Sequence, residues 1–358
     1  MPRPTRAAPG NTAAVDSAFA SLVEQLSETP GYFDSDNIIT NEGSYLDVAP
    51  QIAKLGVHGG AYLGVGPDQN FSYIAMIRPS IAFMIDIRRD NLLEHLLFKA
   101  VFELSQDRLD YLCLLLGKPV PRDASTWRRK PIADILAYVA RTPSDSQLVA
   151  RTGPMITQHI ARFGVPLDAH DTSMIDRYRA EFVADGLETR YSSLGRNNRF
   201  DYPSFGQLIA ATDRAGHQTS YLASDDAFQL VRSMELGNRI IPVTGNVAGD
   251  RSMAAIARYV TAHGLKVSAF YVSNVEQYLL TREGGFATYE RNVDALSRDA
   301  KSVIIRSYFG RFGRPHPLAV PGHNSTSMIE TMDSFVKRYR AGQIVTYADL
   351  VFSGFITP

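Results

Sequence analysis

The sequence predicts an α/β fold: a doubly wound, mostly parallel seven-stranded sheet with a helical insertion. Three observations predict it. Short apolar runs close on glycine or on a polar residue, as at Ala61-Tyr62-Leu63 before Gly64 and Ile81–Ile85 before Asp86. Stretches with apolar residues at helical spacing separate these runs, the alternation expected of parallel strands joined by crossover helices. Between about residues 105 and 200 the alternation stops, and Pro119, Pro121, Pro131, Pro143 and Pro154 punctuate helical pieces instead.

In chain order, residues 1–12, rich in Pro, Ala, Arg and Thr, read as a disordered tail. Residues 13–58 read as an N-terminal helical segment. Within it Val15, Phe19, Leu22 and Leu26 recur at helical spacing, Pro30-Gly31 breaks the chain, Asn37–Tyr45 is a loop and Val48–Leu55 a short helix. The sheet is expected over 59–104 and 204–358, and the helical insertion over 105–203. The first sheet unit runs strand, glycine turn (Gly64-Val65-Gly66-Pro67), helix (Asn70–Arg78), strand, acid (Asp86) and a helix bearing Leu92, Leu93, Leu96, Leu97, Ala100 and Val101. After the insertion, Thr219–Ala223 is a strand candidate, and Ser224-Asp225-Asp226 caps a helix. Arg239–Val243 and Val267–Val272 are strands with the helix Arg251–His263 between them. Ser302–Arg306 is a strand, Ser327–Arg340 a helix and Ile344–Leu350 the last strand.

Lys+Arg and Asp+Glu balance at 37 each, and a pI near 7.1 argues against the basic field of a general nucleic-acid binder. Trp127-Arg128-Arg129-Lys130 reads as a solvated loop. The single cysteine, Cys113, excludes an internal disulfide and a cysteine-built metal centre, and its apolar setting marks a buried, inert thiol. No run approaches the ~18 apolar residues of a membrane span, and the first residues lack the apolar core of a secretion signal. The expectation is a cytoplasmic protein with a small-molecule substrate, without nucleic-acid or membrane partners and with room for a homodimer.

In such a sheet, ligands bind beyond the carboxyl ends of the strands, where strand order switches. Gly64 and Gly66 follow the first strand, where the missing Cβ atoms let backbone approach an anionic group. Asp86 closes the second strand about 20 residues later, the offset at which a carboxylate receives a ribose diol. A nicotinamide fingerprint needs a further glycine three residues after Gly66, and that position is Gln69.

Tyr62-Leu63-Gly64-Val65-Gly66-Pro67, followed by Ile85-Asp86, resembles the first two motifs of class I S-adenosylmethionine-dependent methyltransferases, a Rossmann-like family. The run Val267–Tyr278 also resembles an uncharacterised bacterial family of that architecture. The methyltransferase resemblance implies a final antiparallel strand, S-adenosylmethionine as cofactor, S-adenosylhomocysteine as product, and a small-molecule acceptor. By it, Gly64 and Gly66 line the methionine part, Asp86 with Ile87 holds the ribose, Asp225 or Asp226 lies near the adenine, and Asn246 faces the methyl donor. Entry segments in that family fold over the cofactor, which brings in Asn41, Glu42 and Tyr45. The chain departs from the family at Tyr62, where an acid is usual, and at Asp68, where a third glycine is usual. Thr244-Gly245-Asn246-Val247 is not the motif of amino-nitrogen methylation.

Methyl transfer asks a protein mainly for positioning, and sometimes for a base. The candidates are His170, Asp201, Tyr202, Glu276 and His323, with Asn274 and Glu276 just beyond a strand on the ligand side. Asp168-Ala169-His170-Asp171 matches no metal-ligand spacing and reads as a solvent loop, and no metal is expected. Asn197–Pro203 is either a connector or a substrate lid. Two other readings stay open: a binding or scaffold protein that keeps the fold without the chemistry, and a nucleotide-dependent oxidoreductase.

Overall fold

The computed structural model describes residues 12–193, 202–283, 285–310 and 314–358; most of the expected tail and most of the 197–203 loop, Asp201 included, lie outside them. Six strands form one sheet: β1 (Ala61–Gly64), β2 (Ile81–Asp86), β3 (Ile240–Thr244), β4 (Val267–Ser273), β5 (Val303–Tyr308) and β6 (Thr326–Thr331). Their order is β3-β2-β1-β4-β5-β6, parallel throughout except that β6 is antiparallel to β5. The α/β class therefore stands, with six strands rather than seven among the described residues.

Two expected strands are not strands. Thr219–Ala223 forms turns, because Arg108 Nη1 takes the carbonyls of Leu222 and Ala223 (2.9 Å each) that a ladder would need. The stretch Ile344–Leu350 ends in a short helix, set by a capping box in which Thr346 and Asp349 satisfy each other's backbone. The antiparallel strand lies earlier, in the first residues of the expected helix Ser327–Arg340. Thr331 ends β6 and caps the helix that follows, its side chain accepting from Ser334 N.

The helices are α1 (Thr12–Leu26), α2 (Ala49–Leu55), α3 (Gln69–Ile77), α4 (Arg89–Leu104), α5 (Arg108–Leu115), α6 (Ile132–Arg141), α7 (Ser146–Ala161), α8 (Ala169–Asp185), α9 (Phe205–Ala210), α10 (Asp225–Leu236), α11 (Ser252–Ala262), α12 (Val275–Tyr278), α13 (Phe286–Asp294), α14 (Met332–Arg340) and α15 (Tyr347–Val351). Right-handed crossovers put the helices after β1 and β2 on one face and those after β3 and β4 on the other. On the first face α3, α4 and α10 pack together, and α7 and α8 of the insertion lie against α4. That stacking explains why α4 is buried almost all round, from Asn91 to Phe102. Cys113 of α5 is buried and its thiol is pushed up to about 12 by desolvation, in keeping with an inert side chain. Asp168 and Asp171 form a capping box at the start of α8, and Asp171 also binds Arg89 at 2.6 Å. The Asp-Ala-His-Asp run is thus a helix start tied to α4.

Candidate functional site

A cavity opens beyond the carboxyl ends of β1, β2, β3 and β4, at the switch of strand order between β1 and β4. Its walls are Val65, Gly66 and Gln69 after β1; Ile85, Asp86, Ile87 and Arg88 at β2; Gly245, Asn246 and Val247 after β3; and Ser273, Asn274, Val275, Tyr278 and Leu279 at β4. The segment between α1 and α2 closes it with Tyr32, Phe33, Asn37, Thr40 and Asn41, and Tyr191 adds a further ring.

The glycine turn is shaped from inside. Asn70, on the first turn of α3, donates to the carbonyls of Val65 (3.0 Å), Gly66 (3.1 Å) and Pro67 (2.8 Å) and accepts from the Tyr62 hydroxyl at 2.7 Å. His95 Nε2 also meets the Gly66 carbonyl at 3.0 Å, and burial pushes that imidazole down to about 4. Tyr62, where the resembled family has an acid, is therefore a support for the turn. Gly66 has φ +81, and a Cβ there would meet the amide nitrogens of Asn37 (3.2 Å) and Gln69 (3.3 Å), so the backbone needs glycine at the cavity wall. Gly64 lies behind that wall: a Cβ would strike Asn70 Oδ1 at 1.9 Å.

Asp86 reaches the cavity with a partner attached. Arg88 donates its backbone N–H (2.9 Å) and Nε (3.2 Å) to Asp86 Oδ1 and Nη2 (3.3 Å) to Oδ2, while Nη1 holds the carbonyls of Ser35 (2.9 Å) and Asp36 (2.8 Å). Desolvation lowers the Arg88 guanidinium, but the charge and hydrogen bonds of Asp86, with smaller contributions from Tyr178 and Glu94, together outweigh it and hold the cation above its ordinary value. Three accepted bonds leave the carboxylate with acceptor capacity on the cavity side.

The strand shift redistributes the other expected roles. Because Thr219–Ala223 is not a strand, Asn246 follows the third strand and Asn274 the fourth. Glu28 fixes the turn at Asn246, accepting from Asn246 N at 2.7 Å and Ser252 N at 3.2 Å. Asp225 does not line the cavity; it begins α10, and its neighbour Asp226 pairs with Arg78 at the end of α3. Glu276 points away into a buried ion cluster, 2.6 Å from Arg306, and is not a wall residue. Tyr202 stands behind Tyr191, ring centroids 5.2 Å apart. His323 binds Asp47 at 3.1 Å on the connection before β6. Glu42 is fully buried one layer behind the wall, receiving the hydroxyls of Ser273 and Ser307.

Over residues 37–120 and 174–347, more than half of the chain, the sequence matches the family described as Domain of unknown function (DUF7790). The chain belongs to the DUF7790 family. Comparison with curated proteins gives no match. All the cavity residues of this DUF7790 chain except Tyr32 and Phe33 fall inside the matched segments. Of the expected site residues, the fold brings together Asn41, Gly66, Asp86, Ile87, Asn246 and Asn274, and leaves Gly64, Glu42, Asp225, Glu276 and Tyr202 outside the wall. Sequence reasoning missed Asn37, Gln69, Arg88, Tyr191 and the edge-to-face pair of Phe33 and Tyr278, 5.1 Å apart. The signal for Phe33 was the aromatic pair directly after Pro30-Gly31, which reads as a mere break. Among the described residues of this DUF7790 chain, no cluster of three or more His, Cys, Asp or Glu is arranged to hold a metal ion, and no helix is long and apolar enough to cross a membrane.

Proposed function

We propose that the chain is a cytoplasmic S-adenosylmethionine-dependent methyltransferase acting on a small-molecule acceptor. The observation that carries the reading is Asp86 at the end of β2, facing an open cavity beside Gly66 at the strand-order switch. The residues present suit the cofactor. Gly66 leaves a cradle between two side-chain amide nitrogens, and Gln69 Oε1, on the same wall, has no hydrogen-bond partner among the described residues. Asp86 would hold the ribose hydroxyls, with Ile87 and Val247 as apolar neighbours and Asn246 and Asn274 as polar ones. The cofactor itself supplies an activated methyl group. The chain's part is to orient the acceptor and exclude water, and the aromatic cover of Tyr32, Phe33, Tyr191 and Tyr278 suits both.

The antiparallel β6 supports this reading over a nucleotide-dependent oxidoreductase, whose dinucleotide-binding sheet continues parallel in the order 3-2-1-4-5-6. One observation favours a second reading, a non-catalytic binding protein on this fold: Arg88 already engages both oxygens of Asp86.

Calorimetric titration with S-adenosylmethionine and S-adenosylhomocysteine, with NADH as control, separates the readings. We expect binding to the two sulfur ligands, no heat with NADH, and at least a tenfold loss of affinity in Asp86→Ala, the value of one charge-assisted hydrogen bond to a diol at about 1.4 kcal/mol or more. A well-folded protein that binds neither sulfur ligand overturns the methyltransferase reading in favour of the binding protein.

A further inference from the structure

Strand β4 ends irregularly. Its register with β5 shifts between Tyr271 and Ser273, and Ser273 takes the left-handed conformation, φ +53, that non-glycine residues seldom adopt. This backbone is held where it turns one hydroxyl two ways: Ser273 lines the cavity and donates to Glu42 Oε1 behind it.

Glu42 is fully buried, and the hydrogen-bond partners of its carboxylate among the described residues are hydroxyls rather than a cation. What faces it is hydroxyl. Ser307 Oγ donates to Oε2, and the Tyr271 hydroxyl bonds it as well. The titratable groups around it are tyrosines: Tyr62 from β1, Tyr73 from α3, Tyr271 from β4 and Tyr347 from α15. Behind Ser307 stands a file of serines, Ser307 to Ser327 at 3.1 Å, Ser327 to Ser44 at 2.9 Å and Ser44 to Ser325 at 2.7 Å. Each serine has one proton to donate. Once Ser307 gives its proton to Glu42, Ser327 must give to Ser307, Ser44 to Ser327 and Ser325 to Ser44. The file thus points at the carboxylate and polarises toward it, an arrangement that favours the anion in a place without a cation.

We propose that Ser273 and Glu42 form the proton-accepting arm of the cavity, which marks the acceptor as a molecule with an O–H or N–H proton to lose. With Glu42 ionised, the Ser273 proton is turned inward and its oxygen lone pairs face the cavity. The acceptor's O–H or N–H bond breaks, its proton passes to Ser273 Oγ, and the Ser273 proton passes to Glu42. The acceptor keeps the electron pair, Ser273 is restored, and the negative charge leaves Glu42. Ser273 touches the substrate; Glu42 acts through it. Desolvation raises the Glu42 carboxyl above its ordinary value even against three hydroxyl donors, which gives it the basicity to keep the proton. The assignment rests on the methyltransferase reading for what happens to the acceptor next, whereas the relay can be read without any cofactor.

The experiment is a pH titration of the ligand-free protein followed by infrared spectroscopy in the carboxylic-acid region. We expect a buried-acid band whose midpoint lies above the ordinary glutamate range and which is lost in Glu42→Gln. In Ser273→Gly, which suits the left-handed backbone and removes one donor to the anion, the same midpoint should move higher still. A Glu42 band that titrates in the ordinary range, or one that Ser273→Gly leaves unmoved, overturns the relay. Should Glu42→Gln not fold, the shift in Ser273→Gly decides alone. Because no cofactor is present, a protein that fails to bind S-adenosylmethionine can still pass this test, and one that binds it can still fail.

Discussion

Asp68 stands where the resembled glycine motif has its third glycine, and the fold gives it a different task. It is buried at the start of α3 with Oδ2 receiving the Tyr221 hydroxyl at 3.4 Å and, among the described residues, Oδ1 without a partner. Desolvation pushes its carboxyl up to about 7, against the smaller opposing effect of the Tyr221 bond. The folded protein therefore keeps a proton that the unfolded chain has shed above about pH 4. The stability tied to that proton is whole below pH 4, falls as pH rises toward 7 and is flat beyond. Asp68→Asn retains an acceptor for Tyr221 and has nothing to ionise. Urea unfolding should show the variant gaining on the wild type by a few kcal/mol between about pH 4 and pH 8; equal pH profiles would count against the raised carboxyl. At this scale sequence reasoning works where residue type dictates position. Gly66 and Asp86 were legible as cavity-wall residues because glycine suits a left-handed turn and a polar residue closing a parallel strand faces the ligand side of the sheet. The left-handed Ser273, the cavity role of Arg88 and the buried partners of Glu42, itself expected at the wall, were not, since a serine's backbone angle and a glutamate's long-range partners leave no local trace.

Strand β6 shows the same limit for a whole element. Thr326–Thr331 carries Ser, Glu and Thr among two apolar residues, and its polar side chains look solvent-facing until their partners are known. Ser327 joins the serine file, and Glu330 lies between two arginines, 2.7 Å from Arg306 and 2.8 Å from Arg338. Arg306 in turn forks onto Glu276, with Nε at 2.6 Å and Nη2 at 3.1 Å, so one guanidinium ties β5 to β6 and to the helix after β4. The Tyr289 hydroxyl donates to Glu276 as well, at 2.9 Å. This is why Glu276, placed correctly at a strand end by the sequence, is spent on architecture. Arg306→Met fills similar volume but strands the fully buried carboxylate of Glu276 and leaves Glu330 only Arg338. We expect a loss of about 3–5 kcal/mol at neutral pH. The deficit should shrink as pH falls toward about 5, because a buried carboxylate without its cation takes up a proton. Chemical denaturation across that range reads both effects, and a pH-independent loss would mean that packing, not charge, is what Arg306 provides.

The insertion and the sheet share one core. Phe98 on α4 meets Phe182 on α8 at 5.9 Å, Phe19 on α1 meets Phe163 at 6.1 Å, and the same contiguous cluster continues through Phe83 of β2 and Leu112 of α5. Polar ties cross the same boundary: Arg89 to Asp171 at 2.6 Å, and Glu103, held on its own helix by Lys99 at 2.7 Å, to His159 at 2.8 Å. A helix as apolar as α4 cannot stay in water on its outer side, so the sequence that reads as an insertion also covers the sheet's helical layer. Composition alone marked where strands stop but could not show that α4 belongs to both parts. With apolar contact continuous across the boundary, neither part can lose its structure and leave the other's surface satisfied. Heating should therefore give a single cooperative transition, with calorimetric and van't Hoff enthalpies in agreement. Phe98→Ala, at the centre of the shared core, should lower that one transition by about 3–5 kcal/mol in stability without splitting it. Two resolved transitions in the wild type, or a variant in which only one spectroscopic probe shifts, would mean that the insertion folds as a separate unit docked on α4.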